Sequence, residues 1–241
     1  MTGRLELAHL SKRFSGLRAV EDVSFVVPEG AIVGLIGPNG AGKTTCFNLV
    51  AGVYRPDAGE VRLDGTRIDG WRPDQVCRAG IGRTFQLVKP FVGLSVMENV
   101  IVGALNASAG VREAREKSRR VIEQLGLAAK RDQAASSLTL PERKCLEVAR
   151  ALATGPRILL LDEVMAGLRP TEMDHMVALF RELNAKLGLT ILLIEHVMRA
   201  VMALSNRIVV LNHGEVIAAG TPAEVTRDPA VLECYLGEEA V

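Results

Sequence analysis

The chain has 241 residues, 48% of them apolar, with a formal net charge of +1 and four cysteines. That length allows one large domain or two small ones around a substantial core. The near-neutral charge argues against a nucleic-acid protein, whose affinity rests on an excess of Lys and Arg. Cys46, Cys77, Cys145 and Cys234 lie far apart with no C-x-x-C pair, as expected of reduced cysteines in a cytosolic protein.

In chain order, MTGRLELAHLSKRF lacks the apolar core of a signal peptide, and no run approaches the ~20 apolar residues of a membrane span. Residues 4–9, 20–27 and 60–64 read as short strands with partial alternation. AIVGLIG (31–37) is a continuous apolar run ending in glycine. TTCFNLVAG, after the loop that follows it, fits a helix closed by Gly52. From about Ser95 to Ala153 no strand pattern occurs; VREAREKSRRVIEQLGL and LEVARALA are helical, and the charges at 112–120 mark a solvated face. RILLLDE (157–163), LTILLIE (189–195) and RIVVLN (207–212) are further short apolar runs, and HGEVIAAG adds a late hairpin strand. Such runs between helical segments predict a parallel sheet buried on both faces.

Gly37-Pro38-Asn39-Gly40-Ala41-Gly42-Lys43-Thr44 fits G-x-x-x-x-G-K-[ST]. The glycines let backbone N–H groups converge on phosphate oxygens, and a helix beginning near Lys43 adds its N-terminal partial charge. Lys43 is expected to reach the β- and γ-phosphates, Thr44 to ligate Mg2+, and Thr45 to bond the α-phosphate. The fold class expected is α/β: a P-loop NTPase core with a mainly parallel sheet, an N-terminal antiparallel β subdomain and an inserted helical subdomain. The loop alone does not choose among kinase, switch and motor. RILLLDE supplies a second site: Asp162 is placed for the Mg2+ shell, and Glu163, one residue on, can polarise an attacking water. His196 ends another apolar strand, at the sheet edge where ligands bind in open α/β folds. His213 sits in a turn and receives no role.

Together these pieces resemble the ATP-binding cassette ATPases of membrane transporters, over about residues 4–238. The resemblance implies that Phe14 stacks on adenine, that Gln86 senses Mg2+ and γ-phosphate, that Asp162 and Glu163 are the metal-linked and catalytic carboxylates, and that His196 is the switch histidine. It also implies a single unit, with approximately 4–86 and 155–238 as catalytic core and 87–154 as helical subdomain. Two cassettes then sandwich two ATP molecules head to tail and drive permease subunits. GIGRTFQLVKPFVGLSVMENVIVGAL, AGLRPTE and the stretch from IEHVMRAVM to YLGE are similar to the ATPases of branched-chain amino acid importers. That narrower likeness implies two different ATPases paired with two different permeases, a periplasmic solute-binding protein, and a place on the cytoplasmic face of the membrane; from the residues themselves, a homo- or heterodimer with a second cassette is open. Residues around 87–100 are candidates for docking a permease helix, and no nucleic acid is expected.

The sequence departs from this family at the signature that binds the partner's ATP, usually LSGGQ. Here it reads Leu138-Thr139-Leu140-Pro141-Glu142. Thr139 can replace the serine hydroxyl, but Leu140 and Pro141 replace both glycines, and Pro141 has no N–H. Thr139-x-x-Glu142 is also a capping box for the next helix. Two readings are open: an ordinary helix start, or a weakened half-site that a partner cassette complements. Val164 stands where proline is usual, and Arg169 where Asp or Asn is usual. The rival functions are a soluble, non-transport cassette ATPase, a small-molecule P-loop kinase, and a regulatory ATP binder with weak turnover.

Overall fold

The computed structural model describes residues 3–86 and 89–236. Its strands are β1 (Leu5–Phe14), β2 (Leu17–Val27), β3 (Ile32–Ile36), β4 (Ala58–Leu63), β5 (Thr66–Arg67), β6 (Ile81–Arg83), β7 (Ile158–Asp162), β8 (Thr190–Ile194), β9 (Arg207–Asn212) and β10 (Glu215–Gly220). Its helices are α1 (Lys43–Val50), α2 (Pro73–Arg78), α3 (Val96–Ala104), α4 (Val111–Gln124), α5 (Leu140–Ala153), α6 (Pro170–Leu187), α7 (Met198–Leu204), α8 (Pro222–Val225) and α9 (Pro229–Leu236).

The strands form two sheets. One has the order β2-β1-β4-β5 and is antiparallel; the other has the order β10-β9-β3-β8-β7-β6. In the second sheet every pairing from β9 to β6 is parallel, and only β10 runs antiparallel, as the partner of β9. Every residue of β3, β7 and β8 is buried. Side chains alternate across a strand, so a sheet covered on both faces needs apolar residues at every position. Leu159, Leu161, Ile191 and Leu193 pack on one face, against α5 and α6. Ile158, Leu160, Leu192 and Ile194 pack on the other, against α1 and the antiparallel sheet.

Helices α3, α4 and α5 pack on one another and contribute Val100, Ile122 and Leu146 to the first of these clusters. The helical segment thus shares one apolar core with the sheet. Its helix starts are chemically specified. Ser95 N donates to Glu98 Oε2 at 2.7 Å and Glu98 N returns a bond to Ser95 Oγ at 3.2 Å, the reciprocal capping box of α3. Helix α6 opens on Pro170 and closes on Gly188 at φ 65°, where a residue with no Cβ carries the left-handed turn at least cost.

Of the elements that differ from the sequence reading, two bear on the site. Strand β1 continues past residue 9 to Phe14, because Ser15 and Gly16, at φ 44° and 90°, close a two-residue hairpin onto β2. This puts Phe14 at the hairpin tip. Strand β6 has only three residues, too few for a periodic signal, and is held by parallel pairing of Ile81 with Ile158.

Candidate functional site

The P-loop connects buried β3 to α1 across residues 37–42. Gly37, Gly40 and Gly42 have φ of 145°, 80° and 100°. A Cβ on Gly42 would collide with the Ala19 carbonyl oxygen, and one on Gly37 with that of Leu211. At Gly40 there is open space, so only its backbone angle demands glycine. The loop is braced from outside by Gly214 N, which donates to Ala41 O at 3.1 Å. Lys43 Nζ donates to Gly37 O and Pro38 O, each at 2.7 Å, so the side chain arches over its own loop.

A cavity of about 620 Å3 opens above this loop. Asn39 to Thr45 line its floor, Phe14, Leu17 and Ala19 one side, and Gln86, Glu163 and His196 the other. The Phe14 ring is fixed by an edge contact with Tyr54, centroids 5.1 Å apart, and by Lys12 Nζ at 5.6 Å. Gly37 and Pro38 lie at the loop's base rather than in this lining. His213, to which the sequence attached no role, also lines the cavity.

Glu163 is the hub. Gln86 Nε2 donates to its Oε2 at 2.8 Å, and His196 Nε2 lies 2.7 Å from its Oε1. These residues come from the ends of three neighbouring parallel strands, β6, β7 and β8. Glu163 adopts φ 49°, a left-handed conformation that costs a non-glycine residue roughly 1–3 kcal/mol. Its backbone is held there: Glu163 N donates to Ile194 O at 2.9 Å, and Lys144 Nζ donates to Glu163 O at 3.0 Å.

One residue back, Asp162 is 2% exposed and paired with Arg83, whose Nη2 donates to Asp162 Oδ2 at 3.0 Å. Arg83 Nη1 also donates to Asn48 Oδ1, on α1, at 2.6 Å. Burial pushes the Asp162 carboxyl up, and the Arg83 guanidinium opposes that shift. Asp162 Oδ1 is buried without a hydrogen-bond partner. With Thr44 and Gln86 it borders a second cavity of about 490 Å3. A buried carboxylate oxygen with an open acceptor position, beside a hydroxyl and an amide, suits Mg2+. No group of three or more His, Cys, Asp or Glu side chains able to hold a metal occurs among the described residues.

Three residues of this region went unremarked in the sequence reading: Arg83, Lys144 and Glu195. Glu195 is 1% exposed and accepts from Met165 N at 2.8 Å; burial raises its pKa to about 7. Burial also lowers the pKa of Lys144, which faces Glu163 and Glu195. A charged residue inside an apolar segment was the available signal.

The stretch Thr139–Glu142 is not brought to this cavity. It starts α5, where Thr139 N donates to Glu142 Oε2 at 2.9 Å and Lys130 pairs with Glu142 Oε1. Of residues 87–100, Leu87 and Val88 lie outside the described residues.

The ABC transporter family profile matches residues 20–166, and a branched-chain amino acid ATP-binding cassette transporter profile matches residues 215–241. The chain is 41% identical over 249 residues to the high-affinity branched-chain amino acid transport ATP-binding protein BraF of Pseudomonas aeruginosa, an alignment covering 97% of this chain and 98% of that one. It is 40% identical over 249 residues to LivG of Escherichia coli, a protein of the same description, with 97% and 98% covered. It is 36% identical over 239 residues to the lipopolysaccharide export system ATP-binding protein LptB of Acidithiobacillus ferridurans, with 99% of each covered. Among solved structures, the ADP conformation of an ATP-binding cassette of an ABC transporter matches with a TM-score of 0.89 at 30% identity, covering 98% of this chain and all of that one. Sheet order, P-loop and the near-full-length relatives agree: the chain belongs to the ATP-binding cassette family of ABC transporter ATPases.

Proposed function

We propose that this chain is the ATP-hydrolysing subunit of an importer for branched-chain amino acids or related small solutes. The observation that carries the hydrolytic reading is Glu163, hydrogen-bonded at both oxygens by Gln86 and His196 at the mouth of the P-loop cavity. A carboxylate so placed is a general base for water. The solute class is supported by the match at residues 215–241 and by BraF and LivG; LptB is nearly as similar overall, so the C-terminal match weighs most.

In this reading the chain is one ATPase unit over residues 4–238, with 87–154 as its helical part. Phe14 stacks on the adenine. The N–H groups of Asn39 to Thr45 and the Lys43 ammonium hold the phosphates, for which Lys43 leaves the carbonyls of Gly37 and Pro38. Asp162, Thr44 and Gln86 hold Mg2+, which when bound neutralises phosphate charge. Glu163 takes the proton of the attacking water, and His196 orients Glu163. Gln86 must give up its bond to Glu163 to face the nucleotide, which frees one oxygen of the base.

No helix among the described residues is long and apolar enough to cross a membrane. Transport therefore needs permease subunits, with this chain peripheral on the cytoplasmic face and paired with a second cassette. A periplasmic solute-binding protein completes the assembly. Exposed Phe85 and Val102 border a cleft between α2, α3 and α5, and Phe85 and Phe91 border a second cavity beside Gln86, together a suitable seat for a permease helix. Copurification from gently solubilised membranes tests the assembly. Glu163→Gln tests the base: turnover should fall by about 10^2–10^4 with ATP binding retained. Unchanged turnover would remove Glu163 from the mechanism.

A further inference from the structure

We propose that the two ATP sites of the assembled transporter are unequal. The site built on this chain's P-loop and a partner's signature helix hydrolyses ATP; the site closed by this chain's own Thr139–Glu142 binds ATP without productive hydrolysis. The inference rests on the pairing with a second cassette proposed above, in the head-to-tail arrangement that the family resemblance implies.

The start of a helix binds anions through its free N–H groups and its dipole. At the start of α5 these resources are reduced. Thr139 N is taken by Glu142 Oε2 at 2.9 Å. Pro141 has no N–H to offer. The Glu142 carboxylate occupies the place of an external anion and is held ionised: Lys130 is the larger cause of its lowered pKa, with the Thr139 bond adding to it. An approaching γ-phosphate meets a carboxylate, already paired with Lys130, where a neutral side chain would leave the helix start open. Leu140 is 45% exposed, and its Cδ2 lies 3.4 Å from where a Cβ of Gly167 would stand. A branched side chain thus fills the space between the start of α5 and the loop after β7, where two glycines would leave room.

The chain's own catalytic groups show no matching damage. The P-loop glycines, Lys43, Asp162, Glu163, Gln86 and His196 are all in place. Lys144 joins the two halves of the argument, since it lies on α5 and holds the Glu163 carbonyl at 3.0 Å. The defect is therefore confined to what this chain offers its partner. A second copy would bring the same blocked helix start to both sites. The functional partner is a different cassette, one whose signature helix begins with small residues, free N–H groups and no carboxylate.

The test uses the whole complex, purified through a tag on this chain, with MgATP turnover as readout. Glu163→Gln in this chain should remove at least 99% of turnover. The equivalent Glu→Gln in the partner cassette should leave at least half. Replacing Leu140, Pro141 and Glu142 together by Gly, Gly and Gln should raise turnover up to about twofold and make the partner's carboxylate matter. Equal losses from the two Glu→Gln changes would overturn the inference, as would full turnover by this chain alone. A complex with permeases but no second cassette, and no turnover, would instead refute the head-to-tail pairing and the inference with it.

Discussion

Arg83→Met is the most informative substitution outside the nucleotide contacts. It keeps an unbranched apolar stem and removes the charged guanidinium. In the native protein the Arg83–Asp162 pair is almost wholly withdrawn from water, with side chains 13% and 2% exposed. Breaking such a pair from one side leaves an uncompensated buried carboxylate and costs about 3–5 kcal/mol. The Asn48 amide oxygen loses a donor as well, which adds about 1 kcal/mol. Protonation of Asp162 limits the loss, because burial already favours its neutral form. A net loss of about 4 kcal/mol, with a urea m-value of about 2 kcal/mol per molar, moves the unfolding midpoint down by about 2 M. Urea unfolding followed by circular dichroism at pH 7 reads this directly. The double variant Arg83→Met with Asp162→Asn should lose at least 0.5 kcal/mol less than the sum of its parts, since the second change removes the stranded charge. Additive losses, or an Arg83→Met loss below about 1 kcal/mol, would refute the claim that the pair is coupled and buried.

Three other outcomes are expected. Gly40→Ala should cost about 1–2 kcal/mol from its positive φ alone, whereas Gly42→Ala, which also collides with the Ala19 carbonyl, should abolish ATP binding by isothermal titration; equal effects would contradict the loop geometry. Glu195 titrates near pH 7 in the fold against 4.5 in the open chain, so the unfolded state releases its proton first and stability falls as pH rises from about 4.5 through 7, by roughly 3 kcal/mol. Glu195→Gln should flatten that part of the stability profile, and an unchanged slope would assign it to other groups. Phe14→Ala should weaken ATP binding about tenfold, or about 1.4 kcal/mol, while binding inorganic triphosphate as before; equal loss for both ligands would deny stacking on the base.

Much of the site was legible because its signals are local. Gly37 to Thr44 declares its purpose through the backbone angles that its glycines permit. RILLLDE declares a buried strand ending in carboxylates, because a strand covered on both faces must be apolar at every position. His196 was legible as the end of an apolar strand and Gln86 was reached through resemblance, but neither residue shows in its own segment that it touches Glu163. Gln86 follows a three-residue strand that no periodic pattern can reveal. Arg83, Lys144 and Glu195 stayed hidden for a related reason: their partners lie 79, 19 and 30 residues away along the chain.

The sequence by itself determined the phosphate loop, the buried strands, the helical middle and the substituted signature. These depend on φ, on side-chain periodicity and on which residues carry an N–H, all properties of short segments. Only the tertiary structure decided the order β10-β9-β3-β8-β7-β6, and with it the meeting of Gln86, Glu163 and His196. It also decided that Arg83 neutralises Asp162 and that Lys130 locks Glu142 over the start of α5. Pairing between distant segments is selected by the free energy of the whole packed core, where burial of an ion becomes tolerable only once its counter-charge is brought beside it.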